Sequence, residues 1–124
     1  MTDPAMGSAG FLLESAAYVN ENYSNAIMKT DVSKYFKTKM FSGFDTDQSM
    51  LRIGAMNMML HGVDDPNIKY QDSLSSDNTE RDAYTLIMAN PPFTGSVFEE
   101  EISKDLLALT KTKKTETLRQ FTHI

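Results

Sequence analysis

The residues with the clearest chemical profile are Asn90-Pro91-Pro92-Phe93, which follow the apolar run 84–89. Hydrophobicity in that run is continuous rather than alternating, which predicts a parallel strand covered on both faces. The two prolines end such a strand, because neither has a backbone N–H to donate and both fix φ at about −65°. A stiff loop results, with an amide side chain, unpaired carbonyl groups and an aromatic ring. In open α/β sheets, ligands bind at this carboxyl edge.

A second candidate lies near the start of the chain, where Gly7-Ser8-Ala9-Gly10 suits a tight strand-to-helix turn. The apolar residues that follow have helical spacing, so the turn leads into a helix N-terminus, which favours a carboxylate or a phosphate. Two glycines three apart do not make the dinucleotide pattern G-x-G-x-x-G. An ordinary flexible turn is the alternative interpretation of this segment.

The third candidate is Asp45, at the end of the short predicted strand Met40–Asp45. A carboxylate at this position can accept both hydroxyl groups of a ribose. The alternative is a helix N-cap, because a helix is predicted over 48–61. Its packed face is predicted to consist of Leu51, Gly54, Ala55, Met58 and Met59. Asp47 is the better cap, which leaves Asp45 free for a ligand, and Gly62 ends the helix.

The remaining pattern alternates strands with helices, which predicts an α/β fold with a mostly parallel sheet flanked by helices. A third strand, Ile68–Asp72, again ends in an acid, Asp72. Residues 20–38 are predicted to be a loop with one short helix around Ile27–Phe36. The polar stretch 73–82 is predicted to be a loop, and Val97–Leu109 a helix.

Composition limits the class of protein. The 124 residues form at most one domain, and 40% hydrophobic and 23% charged residues are ordinary globular values. A net charge of −5 argues against broad attachment to nucleic acid by this chain alone. No signal peptide or membrane span is predicted, and the lack of cysteine fits a cytoplasmic protein. His61 and His123 have no neighbouring ligand set, so no metal site is predicted.

Taken together, DPAMGSAGFL at 3–12, GFDTD at 43–47 and NPPF at 90–93 resemble the modification subunit of type I restriction-modification systems. These subunits are N6-adenine DNA methyltransferases that use S-adenosyl-L-methionine and have a Rossmann-like fold. The resemblance covers nearly the whole chain, so we expect residues 1–124 to be part of a methyltransferase catalytic domain. The family often has Cys in place of Met6 and Gly in place of Ala9.

The resemblance implies a role for each matching position. Asp3 and the turn through Gly10 would hold the methionine portion of the cofactor, Asp45 would bind the ribose hydroxyls, and Asp72 would contact the cofactor adenine. The cofactor-binding residues expected are Asp3, Ala5, Gly7, Ser8, Gly10, Phe11, Asp45 and Asp72. Of the expected catalytic residues Asn90, Pro91, Pro92 and Phe93, the first two would accept hydrogen bonds from the target amine and Phe93 would stack on the target base.

The chemistry needs such groups, because the lone pair of an exocyclic adenine amine is conjugated into the ring. Two acceptors on its hydrogens favour a pyramidal nitrogen and stabilise the positive charge that develops during attack. The adenine must leave the duplex to reach the loop, and an aromatic platform offsets part of the cost. The partners implied are double-stranded DNA with a flipped adenine, and the specificity and restriction subunits of the type I complex.

The same resemblance implies a defect, because only Met1 and Thr2 precede Asp3 where the central strand of the sheet should lie. From the resemblance we expect the first strand and the later strands of the sheet to be missing. We therefore expect a fragment that carries the motifs and is inactive alone. Alternatives are a non-catalytic remnant that binds partner subunits, or a methyltransferase acting on an RNA base or a protein glutamine. An NAD-dependent oxidoreductase fits the α/β pattern but not the glycine pattern.

Overall fold

The structure, a computed structural model, describes residues 1–73, 75 and 83–90. Within these ranges lie three strands and four helices. In chain order they are β1 (Thr2–Asp3), α1 (Gly10–Asn22), α2 (Ser24–Ile27), α3 (Thr30–Thr38), β2 (Ser42–Asp45), α4 (Gln48–Leu60) and β3 (Asn67–Tyr70).

The strands form a parallel sheet in the order β1-β2-β3. Residues 83–90, here called the return segment, lie on the other side of β1. Thr2 forms a parallel bridge with Ile87, its N–H donates to the Leu86 carbonyl at 2.9 Å, and the Met88 N–H donates to the Thr2 carbonyl at 3.0 Å. The first strand is therefore central, as the resemblance implied. The expectation that this strand is missing is wrong, although it is only two residues long.

The hydrophobic core occupies one face of this sheet. A Cβ on Gly43 would collide with the Met6 Sδ and lie 3.0 Å from the Leu12 Cδ1, so β2 presents this glycine to the helices. On the opposite face, the Phe44 ring lies edge-on to that of Tyr84, with centroids 6.3 Å apart. The buried core residues are Met6, Ala9, Leu12, Ala16, Phe36, Phe41, Met58 and Val63.

The predicted α/β class is confirmed, including a strand that ends at Asp45 and a helix that ends before Gly62. Gly62 has a φ of +89°, a value that suits glycine at the end of a helix. The two-face burial predicted for the run 84–89 is wrong, because Leu86 and Ile87 are 50% and 41% exposed. The continuous hydrophobicity of this run indicated a strand position, but it did not indicate whether other parts of the chain would cover both faces of the strand.

The short helix predicted around Ile27–Phe36 is confirmed as α3, but the loop predicted for the rest of 20–38 is wrong. Helix α1 continues to Asn22, and α2 and α3 fill most of the remainder. The polar sequence gives weak local signals, whereas α3 is tied to the rest of the fold by tertiary contacts. The ring of Phe36 packs edge-on against that of Phe41 at 5.4 Å, and Lys37 forms an ion pair with Asp64 at 2.9 Å. Tertiary packing therefore outweighs propensity here.

None of the helices in the described ranges combines the length and hydrophobicity needed to cross a membrane.

Candidate functional site

Parallel pairing brings the polar strand ends to one edge of the sheet. Asp3 closes β1 and Asp45 closes β2, and Asp3 is paired in register with Gly43, two residues before Asp45. Asn90 lies three residues beyond Ile87, which bridges Thr2. Because all these strands run in the same direction, their carboxyl ends face the same side, where α/β sheets bind ligands.

The chain leaves β1 through a tight turn over residues 4–9. The Asp3 Oδ1 accepts a hydrogen bond from the Ala5 N–H at 3.0 Å, and the Ala9 N–H donates to the Met6 carbonyl at 2.8 Å. Gly7 and Ala9 have φ values of +51° and +69°. The left-handed region is accessible to glycine but costs an alanine about 1 kcal/mol or more, so other contacts must maintain this turn.

Asp45 connects the turn to the next loop. Its Oδ2 accepts from the Gly7 N–H and its Oδ1 from the Asp47 N–H, both at 2.9 Å. Asp47 caps α4, as predicted, by accepting from the N–H groups of Ser49 and Met50 at 2.7 and 3.4 Å. Asp45 does not cap the helix, but its two oxygens are each engaged by one backbone N–H. Each of its oxygens can still accept another hydrogen bond, because a carboxylate oxygen has two lone pairs.

A cleft of about 170 Å³ lies between this turn and the ends of β2 and β3. It is smaller than the roughly 300–1,000 Å³ of pockets that enclose a whole small ligand, so it suits one polar part of a larger molecule. Four lining residues were predicted from the sequence: Ala5, Gly7, Asp45 and Asp72. Four were missed: Pro4, Thr46, Gln71 and Ser73.

Asp3 lies beneath the turn and is only 2% exposed. Burial raises the pKa of its carboxyl to about 6; the hydrogen bond from Ala5 opposes the rise, and the negative charge of Asp45 adds to it. A carboxyl with this pKa is mostly ionised at neutral pH and is protonated below about pH 6, so it can attract a cation only above that range.

The other predicted residues lie around the cleft rather than in it. Ser8 and Gly10 are exposed, and Phe11, at the first turn of α1, is 36% exposed. Asn90 is exposed at the end of the return segment. The other three predicted catalytic residues, Pro91, Pro92 and Phe93, lie outside the described residues, as do the helix predicted from Val97 and most of the loop predicted over 73–82.

Two side chains that the sequence did not single out hold the turn from outside. The Ser73 hydroxyl donates to the Pro4 carbonyl at 2.8 Å, and the Asn57 Nδ2 donates to the Ser8 carbonyl at 3.0 Å. Asn57 lies outside the apolar face predicted for its helix, so no sequence signal singled it out. Ser73 lies in a polar stretch and had no distinguishing signal.

Sequence comparison gives a consistent result. The N-6 DNA methylase family matches residues 1–123. The chain is 30% identical over 105 residues to the methylase subunit of the type I restriction enzyme MjaVII from Methanocaldococcus jannaschii, covering 83% of this chain and 16% of that protein. It is 30% identical over 115 residues to the EcoEI methylase subunit from Escherichia coli, covering 91% of this chain and 22% of that protein. The chain thus spans about a fifth of the length of these relatives.

Comparison with solved structures points to the same class of protein as the sequence comparison. The crystal structure of the M protein of the type I restriction enzyme EcoKI superposes with a TM-score of 0.70 at 27% identity, over 87% of this chain and 25% of that one. A second structure, from work on complex assembly and conformational transition of the type I restriction-modification system, gives 0.65 at 25% identity, over 87% and 23%.

Proposed function

This chain belongs to the N-6 DNA methylase family, and on that premise we propose that it carries the cofactor and target-amine groups of an adenine-specific DNA methyltransferase. The cofactor proposed is S-adenosyl-L-methionine, which supplies an electrophilic methyl group when bound. The observation that carries the proposal is the sheet register, since it brings Asp3, Asp45 and Asn90 to one edge.

The donor and acceptor groups of the cleft fit part of this cofactor. Asp45 keeps lone pairs for the two ribose hydroxyls, and Asp72 lines the same cleft at the end of β3. Asp3 lies beneath the turn rather than in the cleft, and its carboxylate would attract the ammonium group of the methionine portion. The exposed residues Ser8, Gly10 and Phe11 would lie along that portion rather than around the ribose.

Asn90 would act on the target base. Its side-chain oxygen and the backbone carbonyl of Pro91 would accept hydrogen bonds from the two amine hydrogens, which stabilises positive charge on the nitrogen during attack. Pro92 would stiffen the loop, and Phe93 would stack on the flipped base. Backbone bonds between the return segment and Thr2 tie Asn90 to the strand that ends at Asp3.

The partners proposed are double-stranded DNA and the specificity and restriction subunits of a type I complex. Support comes from the relatives, which are named type I restriction enzyme methylase subunits. The chain has a net charge of −5, so most of the phosphate contacts would be supplied by other parts of such a complex.

Calorimetric titration with S-adenosyl-L-methionine tests the cofactor assignment. We expect micromolar binding, which should weaken at least about tenfold in Asp45→Ala, because the ribose hydroxyls lose their acceptor. No binding by the wild-type chain would contradict the assignment and favour a non-catalytic remnant.

The substrate class needs a second assay. The protein that carries this sequence is incubated with labelled cofactor and unmethylated duplex DNA, structured RNA or protein acceptors, and the products are digested. Label in N6-methyladenine from DNA is the expected result. Label in RNA bases or in protein glutamine would contradict the DNA assignment.

A further inference from the structure

The peptide group between Ser8 and Ala9 is held at both ends. Its carbonyl accepts from the Asn57 Nδ2 at 3.0 Å, and its N–H donates to the Met6 carbonyl at 2.8 Å. The first bond comes from α4 and crosses 49 residues of sequence, whereas the second lies within the turn. Asn57 is therefore the side chain that ties the outer part of the turn to a rigid element.

Packing holds Ala9, which is fully buried, but it leaves open space beside the two glycines that flank the Ser8–Ala9 peptide. Apart from adjacent residues and own-helix backbone, no atom lies within 4 Å of where a Cβ on Gly7 or Gly10 would be. Ala9 nevertheless has a φ of +69°, which is unfavourable for an alanine. The burial of Ala9 and the two hydrogen bonds of the Ser8–Ala9 peptide together stabilise this strained conformation.

Helix α4 lies close enough to the turn for Asn57 to donate its hydrogen bond to the Ser8 carbonyl. A Cβ on Gly54 would lie 3.3 Å from both the Gly7 carbonyl oxygen and the Ala9 Cβ, so only a glycine lets the helix approach the turn this closely. Asn57 follows three residues later, on the same side of the helix. Gly54 therefore allows α4 to lie close to the turn, and the side-chain amide of Asn57 holds the turn in that position.

We propose that Asn57 is a positioning residue for the cofactor turn, an inference that rests on the function proposed above. Its amide fixes the Ser8 carbonyl and thereby keeps Gly7 oriented so that its N–H reaches Asp45 at 2.9 Å. Asn57 is not among the residues that line the cleft, so we assign it an indirect role. Its loss should lower cofactor affinity through the shape of the turn.

Amide hydrogen exchange of the 124-residue chain without cofactor gives the first test. In Asn57→Ala we expect the Ala9 and Gly7 amides to exchange about tenfold faster, with core amides such as that of Phe44 unchanged. The matched control is Asn22→Ala, because the Asn22 Nδ2 makes a similar exposed bond, 2.9 Å long, to the Tyr18 carbonyl of its own helix. Unchanged exchange in Asn57→Ala, or an equal acceleration at all amides, would overturn the inference.

Titration with S-adenosyl-L-methionine gives the second test. We expect about tenfold weaker binding by Asn57→Ala and wild-type affinity for Asn22→Ala, with similar urea midpoints for both variants. Equal affinity of the two variants would overturn the inference. If the wild-type chain does not bind the cofactor, the proposed function fails, while the exchange measurement still decides whether Asn57 positions the turn.

Discussion

Asp3 is a buried carboxyl group whose pKa is raised to about 6, first because burial disfavours the charged form. If it pairs with the ammonium group of the cofactor, binding must release the proton it carries at low pH. We therefore expect affinity for S-adenosyl-L-methionine to rise about tenfold per pH unit below 6 and to level off above it. Calorimetry between pH 5 and pH 7.5 measures this.

Asp3→Asn should bind weakly and without that pH dependence, whereas the exposed Asp31→Asn should behave as wild type. A wild-type profile that stays level from pH 5 to pH 7.5 would argue against pairing of Asp3 with the ammonium group.

The same group makes a prediction about stability. The pKa of Asp3 in the folded chain lies above its ordinary value of 3.8, so between these values the folded state holds a proton that the unfolded state has released. The contribution of Asp3 to the free energy of unfolding therefore falls as pH rises from about 4 to about 6, and is constant above. In urea unfolding, the stability of Asp3→Asn relative to wild type should be greater at pH 7 than at pH 4.5. A difference that does not change with pH would contradict the shift.

Ala9 combines complete burial with a φ of +69°. Ala9→Gly should relieve the backbone strain but lose a packed methyl group and add freedom to the unfolded chain, so its stability should stay within about 1 kcal/mol of wild type. Ala9→Val should lose at least about 2 kcal/mol, because a β-branched side chain is strained at this φ. Urea unfolding measures both variants, and a stable Ala9→Val would show that the turn can change shape.

Residue roles differ in how far the sequence reveals them. Asp47 could be identified as a helix cap, because a capping group acts on N–H groups two and three residues away. The partner of Asp45 is Gly7, 38 positions away, and that of Asn57 is Ser8, 49 positions away. Such pairings depend on the sheet register and on helix packing, which no local pattern contains.

At the scale of elements, the contact of α4 with the turn depends on two glycines that face one methionine. A Cβ on Gly54 would lie 2.5 Å from the Met6 Cε, and a Cβ on Gly43 would collide with the Met6 Sδ. Gly54→Ala should therefore cost about 1–3 kcal/mol, although alanine is the better helix former by about 1 kcal/mol. In a Met6→Cys background the cost should fall by about 1 kcal/mol, since the terminal methyl group is gone.

Urea unfolding of the four proteins in this cycle measures the coupling. Gly10→Ala is the matched control, because no atom lies within 4 Å of its Cβ position; it should change stability by no more than about 1 kcal/mol, equally in both backgrounds. Additive costs for the Gly54 and Met6 substitutions would show that the two residues do not share the contact.

The elements themselves were predictable to different degrees. Helix α4 carries its own signals, an acidic cap and a terminal glycine, and the structure places it where the sequence predicts. Met59, however, was predicted to lie on the packed face of this helix and is 56% exposed. The spacing of apolar residues predicts that a helix has a packed face, but it does not predict how wide that face is. The hydrophobicity of the return segment predicted a strand of the sheet. In the structure this segment pairs with the sheet through one bridge, between Ile87 and Thr2.

At the scale of the whole molecule, the proposed site has two halves that come from distant parts of the chain. The cofactor half is built on β1 and β2, and the target half on the return segment, which is tied to β1 through Thr2 and to β2 through the rings of Phe44 and Tyr84. Substitutions in the cofactor half should therefore mainly weaken cofactor binding, and substitutions in the target half should mainly impair methyl transfer.

In the protein that carries this sequence, Asn90→Ala should abolish methyl transfer, because the amine loses one of its two acceptors, while changing cofactor affinity less than about twofold. Asp45→Ala should show the opposite pattern. It should raise KM for the cofactor at least about tenfold, with a smaller effect on the rate of methyl transfer at saturating cofactor. Titration and single-turnover transfer of labelled methyl groups to DNA measure the two effects. If cofactor binding fell as far as transfer in Asn90→Ala, Asn90 would belong to the cofactor half, and the assignment of the return segment to the target base would be wrong.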